Sequence, residues 1–151
     1  MKKVILLFLL LSVSFFSNAQ NQEKSSQADM YSAFHKFFDA EIRRQGVKLN
    51  WIFRLDEITG LHTFDINNDG LKEVLSEFDA VPVEGGGVTN SYAALFFETE
   101  TDKFILGDYI ETPYSRFIEI EGKVFRFYNQ KNNAVELYVY ENKKFKKMKV
   151  E

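Results

Sequence analysis

The 151-residue chain contains no cysteine. That excludes disulfide bonds, cysteine-ligated zinc and a lipid carried on a cleavage-site cysteine. Its two histidines, His35 and His62, lie far apart and lack the neighbours that a zinc spacing requires. Basic residues are not in excess, so a generally basic nucleic-acid binder is not indicated. No second long apolar run follows the first one, so the remainder of the chain has no candidate membrane span. Gly85-Gly86-Gly87 lacks the Lys-Ser/Thr pair of a phosphate loop, and no G-x-S-x-G elbow is present.

The chain opens on Met1-Lys2-Lys3, followed by a 13-residue apolar run from Val4 to Phe16 and the small-residue pattern Ser17-Asn18-Ala19. This reads as a secretory signal peptide over 1–19, cleaved after Ala19, and places the protein in the periplasm or outside the cell. The remaining 132 residues suit one domain and carry 17 basic against 22 acidic residues, a formal charge of −5. Thirteen of the sixteen phenylalanines, all seven tyrosines and Trp51 fall in this part, ample for a packed core.

Residues 20–27 are polar and aperiodic, a disordered leader ahead of a single domain over 28–151. Ser26 with Asp29 resembles a capping box, and Tyr31, Phe34, Phe38 and Ile42 recur at helical spacing. Arg43 and Arg44 suit the last turn of this helix, and Gly46 suits its end. Beyond Lys48 the pattern turns to strands. These are predicted at Asn50–Arg54, at Leu61–Phe64 after a turn at Gly60, then at Ser91–Thr99, Lys103–Leu106 and Phe117–Ile120. Val124–Tyr128, Ala134–Tyr140 and Phe145–Val150 complete the series. Short polar turns between them predict an antiparallel meander sheet, so the fold class is α+β, mainly β, with one N-terminal amphipathic helix.

One motif carries chemistry. Asp65-Ile66-Asn67-Asn68-Asp69-Gly70-Leu71-Lys72-Glu73 has oxygen-bearing side chains at positions 1, 3, 5 and 9 and glycine at 6. A tight loop of this kind supplies the oxygens that Ca²⁺ requires, with position 7, here Leu71, giving its carbonyl. Asp65, Asp69 and Glu73 offset the charge of the ion. Position 12, a bidentate glutamate in the EF-hand loop, is Ser76 here. The run therefore resembles the shorter D-x-[DN]-x-D-G-x-x-[DE] calcium loops of FG-GAP and integrin-like repeat proteins. That resemblance implies a loop between two strands and the ligand set Asp65, Asn67, Asp69, the Leu71 carbonyl and Glu73. The spacing of Leu71, Val74, Leu75 and Phe78 also fits a helix, which would suit an EF-hand or dockerin-like flank. A plain Asn-Asp-Gly turn that binds nothing is the remaining alternative.

Further features have simpler readings. The lysines Lys143, Lys144, Lys146, Lys147 and Lys149 read as edge-strand protection, with a patch for anionic polymer as the alternative. Glu98, Glu100, Glu119 and Glu121 read as solvated strand faces, and Tyr128, Tyr138 and Tyr140 as either core or binding face. No catalytic constellation emerges, so the chain reads as a non-enzyme. It is expected to be a small secreted or periplasmic domain with a structural Ca²⁺, serving as an interaction module for a protein or cell-envelope partner. The alternative is a periplasmic inhibitor or immunity-type protein that binds a partner enzyme without calcium, through a loop at Gly85 to Asn90.

Overall fold

The computed structural model describes residues 27–43, 52–83, 89–101 and 103–149. The segment expected to be a signal peptide and all of the expected leader but Gln27 (Ser26 included), together with Arg44, Gly46, the glycine run 85–87 and Val150, lie outside these residues. The α+β, mainly β class holds, arranged as three layers: a helix, a first sheet and a second sheet.

Helix α1 covers 27–43, so Gln27, expected in the leader, already belongs to it. Its second part, Phe38–Ile42, is a π-helical turn closed by the Arg43 N–H donating to the Phe38 carbonyl. The wider turn counteracts the angular drift of residues spaced four apart, and Phe38 and Ile42 both stay buried. The buried stripe is Met30, Phe34, Phe37, Phe38 and Ile42. Tyr31 was expected in it but remains 45% exposed. Met30, wholly apolar, takes the buried place, whereas a buried tyrosine hydroxyl would need a partner.

The first sheet has the order β1 (Phe53–Phe64), β2 (Glu73–Pro82), β3 (Asn90–Glu98), β4 (Phe104–Glu111), each antiparallel to the next. Strand β1 replaces the two short strands expected at Asn50–Arg54 and Leu61–Phe64. Register shifts between Leu55 and Glu57 and between Ile58 and Gly60 absorb the irregular stretch as bulges. Gly60 therefore lies inside a strand instead of in a turn. A Cβ there would stand 2.8 Å from Glu77 Oε2 and 2.8 Å from His62 Nε2. Strand β4 runs on past Leu106, because Tyr109 and Ile110 continue its packing on the two cores.

The second sheet has the order β5 (Ser115–Glu121), β6 (Val124–Asn129), β7 (Ala134–Glu141), β8 (Lys144–Lys147), again a meander. The single meander expected from sequence thus divides in two. The break falls at Thr112-Pro113-Tyr114, where proline offers no N–H to a ladder and Tyr114 has φ +64°. The last strand ends at Lys147 and does not continue toward Val150.

Strands β2 and β3 are covered on both faces, which explains the unbroken apolar run Tyr92 to Phe97. On one side Val74, Phe78, Ala80, Tyr92, Ala94 and Phe96 pack beneath the helix stripe. Phe78 stacks on Tyr92 at 5.3 Å between centroids and takes the edge of Phe34 at 5.0 Å. On the other side Leu75, Ala93 and Leu95 meet Phe125, Phe127 and Tyr138 of the second sheet, with Phe117, Tyr140 and Phe145 around them. Tyr138 and Tyr140 are therefore core residues, and Tyr128 faces outward. Among the described residues no helix is long and apolar enough to cross a membrane.

Candidate metal centre

The Asp65–Glu73 loop joins β1 to β2, the strand–loop–strand arrangement that the calcium-loop resemblance implies. Its ends are pinned, because Phe64 and Glu73 are ladder partners. The helical reading of Leu71 to Phe78 does not hold: β2 sends Val74 and Leu75 to opposite cores. Ser76 lies buried within that strand and Glu77 is engaged elsewhere, so neither closes a twelve-residue loop.

Within the loop the side chains fold onto the backbone. Asp65 accepts the Asp69 N–H through Oδ1 and the Gly70 N–H through Oδ2, both at 3.1 Å. Asn67 Oδ1 shares the Asp69 N–H at 3.2 Å. Asp69 accepts the Leu71 N–H at 2.8 Å and the Asn67 side-chain amide at 2.8 Å. Glu73 Oε2 reaches back to the Ile66 N–H at 2.6 Å. Two residues have positive φ, Asn68 at 58° and Gly70 at 83°. A Cβ at Gly70 would meet nothing within 4 Å, so glycine is needed for its conformation and not for space.

Glu73 is 1% exposed. Burial pushes its carboxyl above the usual range, and the Asp69 and Asp65 charges push it further against the opposing Ile66 N–H. Among the described residues no three His, Cys, Asp or Glu side chains converge to hold a metal. The three acids are linked through the loop's own N–H groups and are not drawn onto one point. The donor chemistry nonetheless fits a hard cation. Asp65, Asp69, Glu73, the Asn67 amide and the Leu71 carbonyl offer oxygen alone, and a carboxylate oxygen bonded to one N–H keeps a second lone pair.

The other sequence candidates separate clearly. His35 is exposed on α1 with its ring 5.7 Å from that of Phe34. Glu119 and Glu121 both pair with Arg126, at 2.9 and 3.0 Å, and Glu98 accepts the Lys72 N–H at 3.0 Å. Lys147 pairs with Glu136 at 2.6 Å on the edge strand β8, leaving a thinner basic patch than the sequence suggests. Of the loop proposed for a partner enzyme, only Thr89 and Asn90 are described.

Three largely buried acidic side chains, Glu77, Asp79 and Glu136, and their partners were missed from sequence. Glu77 accepts the Phe117 N–H at 2.7 Å through Oε1 and bonds His62 Nε2 at 2.9 Å through Oε2. Asp79 Oδ2 accepts from Arg116 at 3.2 Å. Glu136 collects Ser115 Oγ at 3.1 Å, Asn129 Nδ2 at 3.4 Å and Lys147. For Glu77 and Asp79 the available signal was the period-two series Glu73, Leu75, Glu77, Asp79, which puts three acids on one face of a strand.

Compared with known proteins, the chain matches no family model, no curated protein and no solved structure.

Proposed function

We propose that this is a calcium-stabilised binding module, secreted or periplasmic, and not an enzyme. The observation that carries the reading is the closed Asp65–Glu73 loop, in which Glu73 is buried beside two further acids and the ends are locked between paired strands. Bound Ca²⁺ would supply the positive charge that those three carboxylates lack. Asp65 and Asn67 hold the loop in its bent form, Asp69 orients the backbone at Leu71, and Glu73 ties the loop to the core.

Extracellular calcium modules bind in the range of ~10⁻⁴–10⁻³ M. At a calcium level 100-fold above Kd, linkage contributes ~2.7 kcal/mol of stability. The surface available to a protein or cell-envelope partner is the outer face of the second sheet. There Tyr128 and Val135 are ladder partners and both are exposed, as is Ile118 in the bulge of β5.

The test is thermal unfolding of the mature chain in EDTA and in ~5 mM Ca²⁺, a concentration above the expected Kd range. An Asp65→Ala/Asp69→Ala variant is run in parallel. A calcium-dependent rise in midpoint that the variant loses is the expected result. Equal midpoints with and without calcium in the unmodified protein would reduce the loop to a turn.

A further inference from the structure

The second sheet does not cover all of the first. Phe97 and Ile105 are ladder partners, so both side chains point to the face that packs Ala93 and Leu95 against the second sheet. Phe97 is packed there, but Ile105 is 58% exposed, more than any other large apolar side chain among the described residues. Beside it the two layers part. Phe97, Ile105, Leu106 and Gly107 of the first sheet, with Tyr140 and Lys143 of the second, line an open cleft of about 330 Å³. We propose that this cleft binds a medium-chain fatty acid, its tail on the apolar walls and its carboxylate at Lys143.

The walls suit an aliphatic tail. The Phe97 and Tyr140 rings lie 5.5 Å apart between centroids, and Ile105 and Leu106 add aliphatic surface. Gly107 is the extra residue of a bulge, between the pairs Leu95–Asp108 and Phe96–Leu106. A Cβ there would collide with the Phe97 ring and stand 2.7 Å from the Tyr140 hydroxyl, so its absence lets rings from both layers reach the strand. A cleft of this size with mostly apolar walls and few polar groups is the usual form of a small-molecule site.

The polar groups suit an anionic head. Lys143 is the one ionic residue of the lining. Its ammonium has no ion-pair partner among the described residues, whereas Lys146 and Lys147 pair with Glu141 and Glu136. Asp108, the acid whose charge reaches Tyr140, is engaged by the Phe145 N–H at 2.7 Å. The Tyr140 hydroxyl has no hydrogen-bond partner among the described residues and is not sealed from solvent. Burial, with Asp108 adding to it, pushes this phenol above its ordinary value of 10.0, so it keeps its proton and can donate to a carboxylate.

Lys143 also stands in a strained place. Asn142 and Lys143 form the two-residue turn between β7 and β8, with φ of 52° and 61°. A turn with both central residues at positive φ favours the pair Asn-Gly. Asn142 fits, but lysine occupies the position that glycine would take without strain. The turn between β5 and β6, by contrast, has Gly122 at its positive φ. The residue held against local preference is the one that brings a charge to the cleft. A fatty acid answers these features together. A cationic amphiphile would be repelled by Lys143, a neutral one would leave the ammonium unpaired, and a small anion would leave the apolar walls wet.

The test is isothermal titration calorimetry on the full mature chain in EDTA, where calcium neither precipitates the probes nor enters the metal loop. The probes are hexanoate, octanoate and decanoate, with 1-octanol, octyltrimethylammonium and phosphatidylglycerol vesicles as comparisons. The acids should bind, each added methylene tightening binding about two- to fourfold. Octanoate should bind more tightly than octanol or octyltrimethylammonium. Lys143→Gly suits the turn, so the thermal midpoint should hold or rise while octanoate weakens about fivefold and octanol keeps its affinity. Ile105→Asp should weaken both. If Ile105→Asp does not fold, Lys143→Gly decides alone. Absence of binding by all three acids overturns the proposal. So does an octanoate affinity that Lys143→Gly leaves unchanged, or octyltrimethylammonium binding as tightly as octanoate. Binding to the vesicles without binding to the free acids also overturns it, and gives the exposed apolar surface to a membrane instead.

Discussion

Glu77 provides the most direct trial of the interlayer packing. Its side chain is 5% exposed and spans the gap between the sheets, one oxygen on the Phe117 N–H and the other on His62. Replacement by alanine deletes both acceptors, leaves a buried backbone N–H on edge strand β5, and opens a void beside the Phe117 ring. Hydrogen bonds to a charged group contribute ~1.5–3 kcal/mol each, and stranding a buried donor adds its desolvation penalty, so Glu77→Ala should cost ~3–5 kcal/mol. Glu77→Gln keeps one acceptor for the Phe117 N–H and a shape close to the original, and should cost ~1–2 kcal/mol. Urea unfolding gives both values, and hydrogen exchange at Phe117 gives a local readout that global stability does not. In Glu77→Ala that amide should exchange much faster than neighbouring amides of β6. A loss below ~1 kcal/mol in both variants, with Phe117 still protected, would refute the claim that this carboxylate joins the layers.

Other substitutions probe separate elements. Phe34→Ala should cost ~3–5 kcal/mol in denaturant unfolding, since Phe34 is at the centre of the helix core against Phe78 and Phe96. Gly107→Ala should cost ~1–3 kcal/mol, because the new methyl would collide with the Phe97 ring and stand 2.7 Å from the Tyr140 hydroxyl; an unchanged midpoint would mean that those rings yield freely. Burial alone would raise the Glu136 carboxyl, but Lys147, Ser115 and Asn129 bring it below its ordinary value of 4.5. The ion pair therefore stabilises the fold above that value and loses its effect as pH falls through the lowered one. Glu136→Gln should be less stable than the unmodified protein at pH 7, with the gap closing in acid in a series of thermal melts.

Much of the fold was legible because its signals were local. Strand segments with polar turns between them gave the β content and the meander order, and the strand expected at Ser91–Thr99 is β3 of the first sheet. What was not legible depended on distant partners. The stretch Leu55 to Gly60 reads as irregular until β2 is laid beside it, and then becomes one bulged strand. The division into two sheets rests on the conformation of Tyr114, which no periodicity reveals. The loop was recognisable as a unit because its donors are a few residues apart. The clamps from Glu77 to Phe117 and from Asp79 to Arg116 span 40 and 37 residues, so the alternation of acids along β2 marks one half of each and nothing local names the partner.

Every ladder in both sheets joins strands that are neighbours along the chain. During synthesis, at ~5–20 residues per second, domains fold from the N-terminus as chain becomes available. The helix and first sheet can therefore close before the second sheet exists. For that interval the face carrying Leu75, Ala93, Leu95 and Phe97 has no cover. Glu77 and Asp79, which later become the ties to Phe117 and Arg116, are then two charges on that waiting surface.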